Sequence, residues 1–138
     1  MKFLVLVKAN EESEAGVMPD EKILGDMAKY NEELTKAGVL LDLAGLQPSS
    51  KATRVRFSGR QRRVIDGPFA ETKELVAGYW LIQTKTKEEA IEWVKRAPMQ
   101  DTELEIRPLF ELGDFDLTAE QKASYESVEA QLKDRPKQ

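Results

Sequence analysis

Phe3-Leu4-Val5-Leu6-Val7, held between Lys2 and Lys8, is a continuous apolar run of strand length rather than an alternation. Such a run predicts a strand over residues 2–8 that is covered on both faces and central in a sheet. Asn10 to Gly16 is polar, has no period and reads as a loop. From Pro19 to Ala37 the apolar residues Ile23, Met27, Tyr30, Leu34 and Ala37 recur at alternating steps of four and three. This puts one stripe on a helix, which Gly38 can end in a left-handed conformation. Gly25 weakens that helix, and stands there either because another element packs closely or as a tolerated exposed glycine.

Val39 to Leu46 is strand-like, and Gln47-Pro48-Ser49-Ser50 breaks it. Thr53 to Phe57 and Arg63 to Asp66, joined by residues 58–62, predict a hairpin with Thr53, Val55 and Phe57 on one side and Arg54 and Arg56 on the other. Val76 to Thr84 alternates two sets that are both largely apolar, so this strand is expected to be buried on both faces, with Tyr79 and Trp80 pointing oppositely. Thr86 and Glu89 form a capping box that starts a helix at Lys87, with Ala90, Ile91 and Val94 as its buried stripe and Pro98 beyond its end. Glu103 to Leu112 gives a last strand, Leu104 and Ile106 facing one way and Glu105 and Arg107 the other, with Pro108 placing it near an edge. Thr118 and Gln121 repeat the capping logic for a final helix lined by Tyr125, Val128 and Leu132. The tail from Asp134 is expected to fray.

Two strand-helix-strand units with an inserted β-hairpin predict an α+β, ferredoxin-like βαββαβ domain with its helices on one face of a mainly antiparallel sheet. The other face then needs a cover. The two-sided apolar strand Val76 to Ile82 is best covered by a second copy, so a homodimer is expected.

A chain of 138 residues, 41% hydrophobic, fills one core. Its net charge of -4 argues against nucleic acid and anionic membrane as partners. The apolar run at residues 3–7 is too short to cross a membrane. With no cysteine, the expected compartment is the cytoplasm. Histidine is also absent, which removes the usual general base near neutral pH and the commonest transition-metal ligand. No transition metal is expected, and Gly45 and Gly59 match no phosphate-binding glycine loop, so no cofactor is expected either.

The remaining chemistry centres on Asp66, Glu71 and Glu74, which lie within nine residues beside Gly67-Pro68. An apolar pocket made by Phe69 and Trp80 would tune such a carboxylate for acid or base work, with Asp66 the catalytic candidate. The structural alternative is that Asp66 accepts backbone amide bonds in the turn while Glu71 solvates a connection. Gln47, Phe69, Glu71, Tyr79, Trp80 and Arg107 are the candidate ligand-binding residues. Trp80 and Tyr79 are otherwise core or interface aromatics, and Arg107 is otherwise half of an exposed ion pair. Arg54, Arg56, Arg60, Arg62 and Arg63 cluster on the hairpin, either to grip an anion or to protect an edge from aggregation.

Asp66-Gly67-Pro68-Phe69-Ala70-Glu71-Thr72-Lys73-Glu74 resembles the signature of the DGPF branch of the YCII-related family. Ala37-Gly38-Val39-Leu40, Gly45-Leu46-Gln47-Pro48-Ser49 and Glu105-Ile106-Arg107-Pro108 fall where that family has matching segments. The likeness covers residues 1–112 and leaves 113–138 as a C-terminal helical extension. It implies a dimeric α+β barrel. Similar sequences that read as enzymes tend to pair a His with an acidic residue, where this chain has Gln47 and Ala44; Gln47 can orient a ligand but cannot shuttle protons. Similar domains are often linked to sigma factors of the extracytoplasmic-function type, which implies a non-catalytic ligand-binding or regulatory module as the alternative to an enzyme with a small-molecule pocket between sheet and helices. A purely structural dimerisation domain is the third reading.

Overall fold

A computed structural model describes residues 1–135. Its elements are β1 (Lys2–Lys8), α1 (Glu11–Glu14), α2 (Glu21–Lys36), β2 (Leu40–Gly45), β3 (Thr53–Ser58), β4 (Gln61–Asp66), β5 (Val76–Gln83), α3 (Lys87–Lys95), β6 (Leu104–Pro108) and α4 (Ala119–Lys133). The chain divides into two compact units, Met1–Pro108 and Leu109–Gln138.

In the first unit four strands pair antiparallel in the order β2-β5-β1-β6, and β3 and β4 form a separate two-stranded ladder. The architecture is mixed α+β and compatible with a ferredoxin-like arrangement. β1 and β5 sit centrally, as their apolar runs predict. Phe3, Val5, Trp80 and Ile82 point to one face, where Tyr30 and Leu34 of α2 and Ala90 of α3 complete the buried core. Phe3 and Ala90 are fully buried and Leu34 is 1% exposed, so side chains fill the space between sheet and helices. A small-molecule pocket has to be sought elsewhere.

Helix α2 starts at Asp20, whose carboxylate accepts from the Ile23 amide, and stops before Gly38 at a positive φ of 71°. A Cβ on Gly25 would meet nothing within 4 Å, so close packing does not explain that glycine. The polar stretch after β1 is not all loop. Asn10 Oδ1 accepts from the Ser13 amide and Ser13 Oγ from the Asn10 amide, a capping box that closes the one-turn helix α1. At α3, Thr86 Oγ1 accepts from the Glu89 amide as expected, but Glu89 reaches back to the Lys85 amide rather than to Thr86.

The hairpin turn is tighter than residues 58–62. β3 and β4 run on until only Gly59-Arg60 remain between them, with Gly59 at φ 57° as two-residue turns of type II′ require. β6 ends at Pro108 instead of continuing to Leu112.

In the second unit Thr118 and Gln121 cap α4 reciprocally, as expected. Its stripe is not buried: Tyr125, Val128 and Leu132 are each more than half exposed. Of the tail expected to fray from Asp134, Asp134 and Arg135 still donate to the carbonyls of Ala130 and Leu132 at the end of α4, and residues 136–138 lie outside the described residues. Among the described residues, no helix is long and apolar enough to cross a membrane.

Candidate functional site

The strand register assigns the second face of the sheet. Glu105, Leu6, Tyr79 and Ala44 form one row across the four strands, and Arg107, Leu4, Leu81 and Asp42 form the next. Leu4, Leu6, Tyr79 and Leu81 are half-buried yet belong to no part of the core cluster. The middle of this face is therefore apolar and its two edges are polar.

At the β2 edge, Tyr79 Oη donates to Asp42 Oδ2 over 3.3 Å. The Asp42 charge comes first among the causes that raise the Tyr79 pKa, ahead of desolvation and the hydrogen bond itself. The pair thus keeps a neutral phenol beside a carboxylate, a donor and an acceptor for a polar ligand group. At the β6 edge, the Glu105 carboxylate lies 3.6 Å from Lys8 Nζ and 3.9 Å from Arg107 Nε. Arg107 is in the exposed ion pair that its alternation allows.

Trp80 points the other way, as the alternation requires. It is 6% exposed, its ring meets Tyr30 edge-on at 5.6 Å, and its Nε1–H donates to Asn31 Oδ1. It is a core residue, on the face of the sheet that packs against the helices.

The segment Asp66 to Glu74 is a second cluster. Gly67 N–H donates to Ala52 O over 2.9 Å, and a Cβ on Gly67 would lie 1.8 Å from Ser49 O, so only glycine fits. The Gly67-Pro68 peptide is cis. Ser49 is 6% exposed and organises the junction: its Oγ accepts from the Phe69 amide and donates to Glu14, whose other oxygen accepts from the Ser49 amide. Asp66 is exposed and accepts no amide bond in the turn; Oδ1 accepts from Thr53 Oγ1 across the ladder at 3.0 Å. The turn is held by backbone and by Ser49, not by Asp66.

Phe69 lies under the Arg54 guanidinium at 3.6 Å. Gln47 and Glu71 are exposed. The candidate residues therefore divide between the second sheet face (Tyr79, Arg107), the core (Trp80) and the hairpin base with its adjoining loops (Gln47, Asp66, Phe69, Glu71). A cleft of about 320 Å³, lined by residues that include Gly38, Val39, Gln83 and Glu89, contains none of them. Asp42 and Ser49 escape sequence reading. Asp42 interrupts the apolar run of β2 as a lone carboxylate, whereas nothing near Ser49 in sequence points to Glu14, 35 residues away.

An uncharacterized protein of Rhizobium meliloti (strain 1021) is 34% identical over 93 residues, spanning 65% of this chain and 75% of that protein. The family model described as the YCII-related domain matches residues 1–113, which include the four-stranded sheet, both helices packed on it and the hairpin. The chain belongs to the YCII-related domain family.

Proposed function

We propose that this protein is a homodimeric small-molecule-binding module of the DGPF branch, in which two copies bring their second sheet faces together and hold a ligand between them. The observation that carries this is the half-buried strip of Leu4, Leu6 and Leu81, apolar but outside the core, bounded by Tyr79 and Asp42 on one side and Glu105 and Arg107 on the other. Apposed sheets pack about 10 Å apart, which leaves room for a flat organic molecule wherever facing side chains are small, as at Ala44. Tyr79 and Asp42 would orient its polar group.

Binding is favoured over carboxylate catalysis because Asp66 is exposed on a different element and its Oδ1 is engaged by Thr53. A regulatory role, in which the ligand changes what the dimer contacts, is the natural use of such a module.

Sedimentation velocity at micromolar concentration tests the pairing. Wild type should sediment as a dimer and Leu6→Lys as a monomer with an unchanged circular dichroism spectrum; a monomeric wild type overturns the pairing. Native mass spectrometry then tests the ligand: a co-purifying small molecule should be lost in Asp42→Ala.

A further inference from the structure

The five hairpin arginines are not one cluster. Cross-strand pairing puts Arg62 with Phe57, Val55 and Val64 on one face, and Arg54, Arg56 and Arg63 with Ile65 on the other. Arg62 is engaged: its guanidinium lies over the Phe57 ring at 4.5 Å and donates to the carbonyls of Gly59 and Gln61.

The other face is unsatisfied. Arg56 and Arg63 are directly opposed, and like charges so placed destabilise a ladder. The ion pairs of the described residues are made by Lys8, Lys95, Arg96, Arg107 and Lys122, so no carboxylate lies within 4.0 Å of Arg54, Arg56 or Arg63. Asp66, the sole acid of the hairpin, is on the opposite face with Thr53. Arg54 is held against an aromatic ring, its guanidinium carbon 3.6 Å from the Phe69 centroid, and it is in none of the ion pairs of the described residues. Five arginines and one aspartate over residues 53–66 give the hairpin a formal charge of +4 in a chain whose total is -4.

From this we propose that Arg54, Arg56 and Arg63 form a binding site for a phosphoryl group, free or carried on a small organic molecule. A doubly charged tetrahedral oxyanion suits the site better than a single carboxylate. It has enough acceptor oxygens for three guanidinium forks and enough charge to relieve the opposed pair. Ile65 and the Phe69 edge give an organic substituent an apolar surface beside the arginines.

Side-chain Nε–H resonances of the full chain, followed during titration with inorganic phosphate or phenyl phosphate against chloride at matched ionic strength, test the site. Arg54, Arg56 and Arg63 should shift saturably with phosphate and not with chloride. Arg63→Gln should weaken binding about tenfold, the loss of one charge-assisted bond, while Arg62→Gln should leave it within about twofold. Tighter binding of phenyl phosphate assigns the group to an organic ester, and equal binding assigns it to the free ion. Linear shifts identical in phosphate and chloride, or equal losses in Arg62→Gln and Arg63→Gln, overturn the proposal. Melting in chloride alone supplies a second readout: Arg63→Gln relieves the repulsion and should not destabilise the fold.

Discussion

The indole Nε1–H of Trp80 donates to Asn31 Oδ1 over 2.8 Å, tying the central strand β5 to the middle of α2. Trp80 is 6% exposed, so its donor has little access to water once Asn31 is gone. Asn31→Leu should cost about 1–3 kcal/mol, the penalty for a buried donor left unpaired, measured by urea denaturation. A cost near zero would mean that the indole finds water.

Two glycine substitutions should have opposite signs. At Gly67 an added Cβ collides with the Ser49 carbonyl, which is backbone and cannot rotate aside, so Gly67→Ala should cost about 3 kcal/mol or more. At Gly25 the added Cβ meets open space within a helix, so Gly25→Ala should stabilise by about 0.5–1 kcal/mol. Thermal melts of the two variants against wild type decide both.

Tyr30 donates from Oη to Trp93 O over 2.7 Å, and burial pushes its pKa up to about 12, with Arg96 pulling downwards and Glu33 adding to the rise. The phenol is therefore protonated in the folded chain at pH values where an unfolded tyrosine, near 10, has ionised. Its contribution is complete below the unfolded value and is lost as pH rises through the folded one. Stability should fall between about pH 10 and pH 12 by an increment that Tyr30→Phe lacks. At pH 7 Tyr30→Phe should cost about 1 kcal/mol for the lost hydrogen bond.

Asp42→Asn should lower the pKa of Tyr79, because the carboxylate charge is the first cause of its rise. Following the Tyr79 ring resonances through an alkaline titration checks this. An unmoved titration would show that the two side chains do not face each other in solution.

Asp66→Asn should cost less than about 1 kcal/mol, since its Oδ1 partner is an exposed Thr53 hydroxyl. In a double-mutant cycle with Thr53→Ala the coupling should be of the same small size. A cost of several kcal/mol would return Asp66 to the turn role that sequence suggests.

What sequence makes legible here is what periodicity encodes. The packed stripe of Met27, Tyr30 and Leu34, the opposed faces of the hairpin and the opposite pointing of Tyr79 and Trp80 follow from spacing alone, whereas Ile23 and Ala37, which the same spacing adds to the stripe, are exposed at the two ends of α2. Periodicity fails where both sets of a strand are apolar: Trp80 and Tyr79 had to point apart, but which one enters the core depends on where α2 and α3 pack. It fails again at α1, whose single turn rests on Asn10 and Ser13 capping each other and has no apolar residue to announce it. Asp66 misleads because a carboxylate before Gly-Pro suggests a local amide partner, whereas its partner is across the ladder and the turn is secured by Ser49 from another loop.

The junction of Gly67 with Ser49 and Ala52 sets the direction in which the β3–β4 ribbon leaves the sheet. Reach is a separate variable. Adding one cross-strand pair between the Thr53–Asp66 pair and the Arg54–Ile65 pair would carry the arginines about 3.3 Å further from the junction per residue without touching the core. Length variants made in steps of two would preserve which face each arginine occupies, and steps of one would exchange them. The hairpin is thus a ruler fixed at its zero mark, against which the distance from the fold to whatever its arginines grip can be measured.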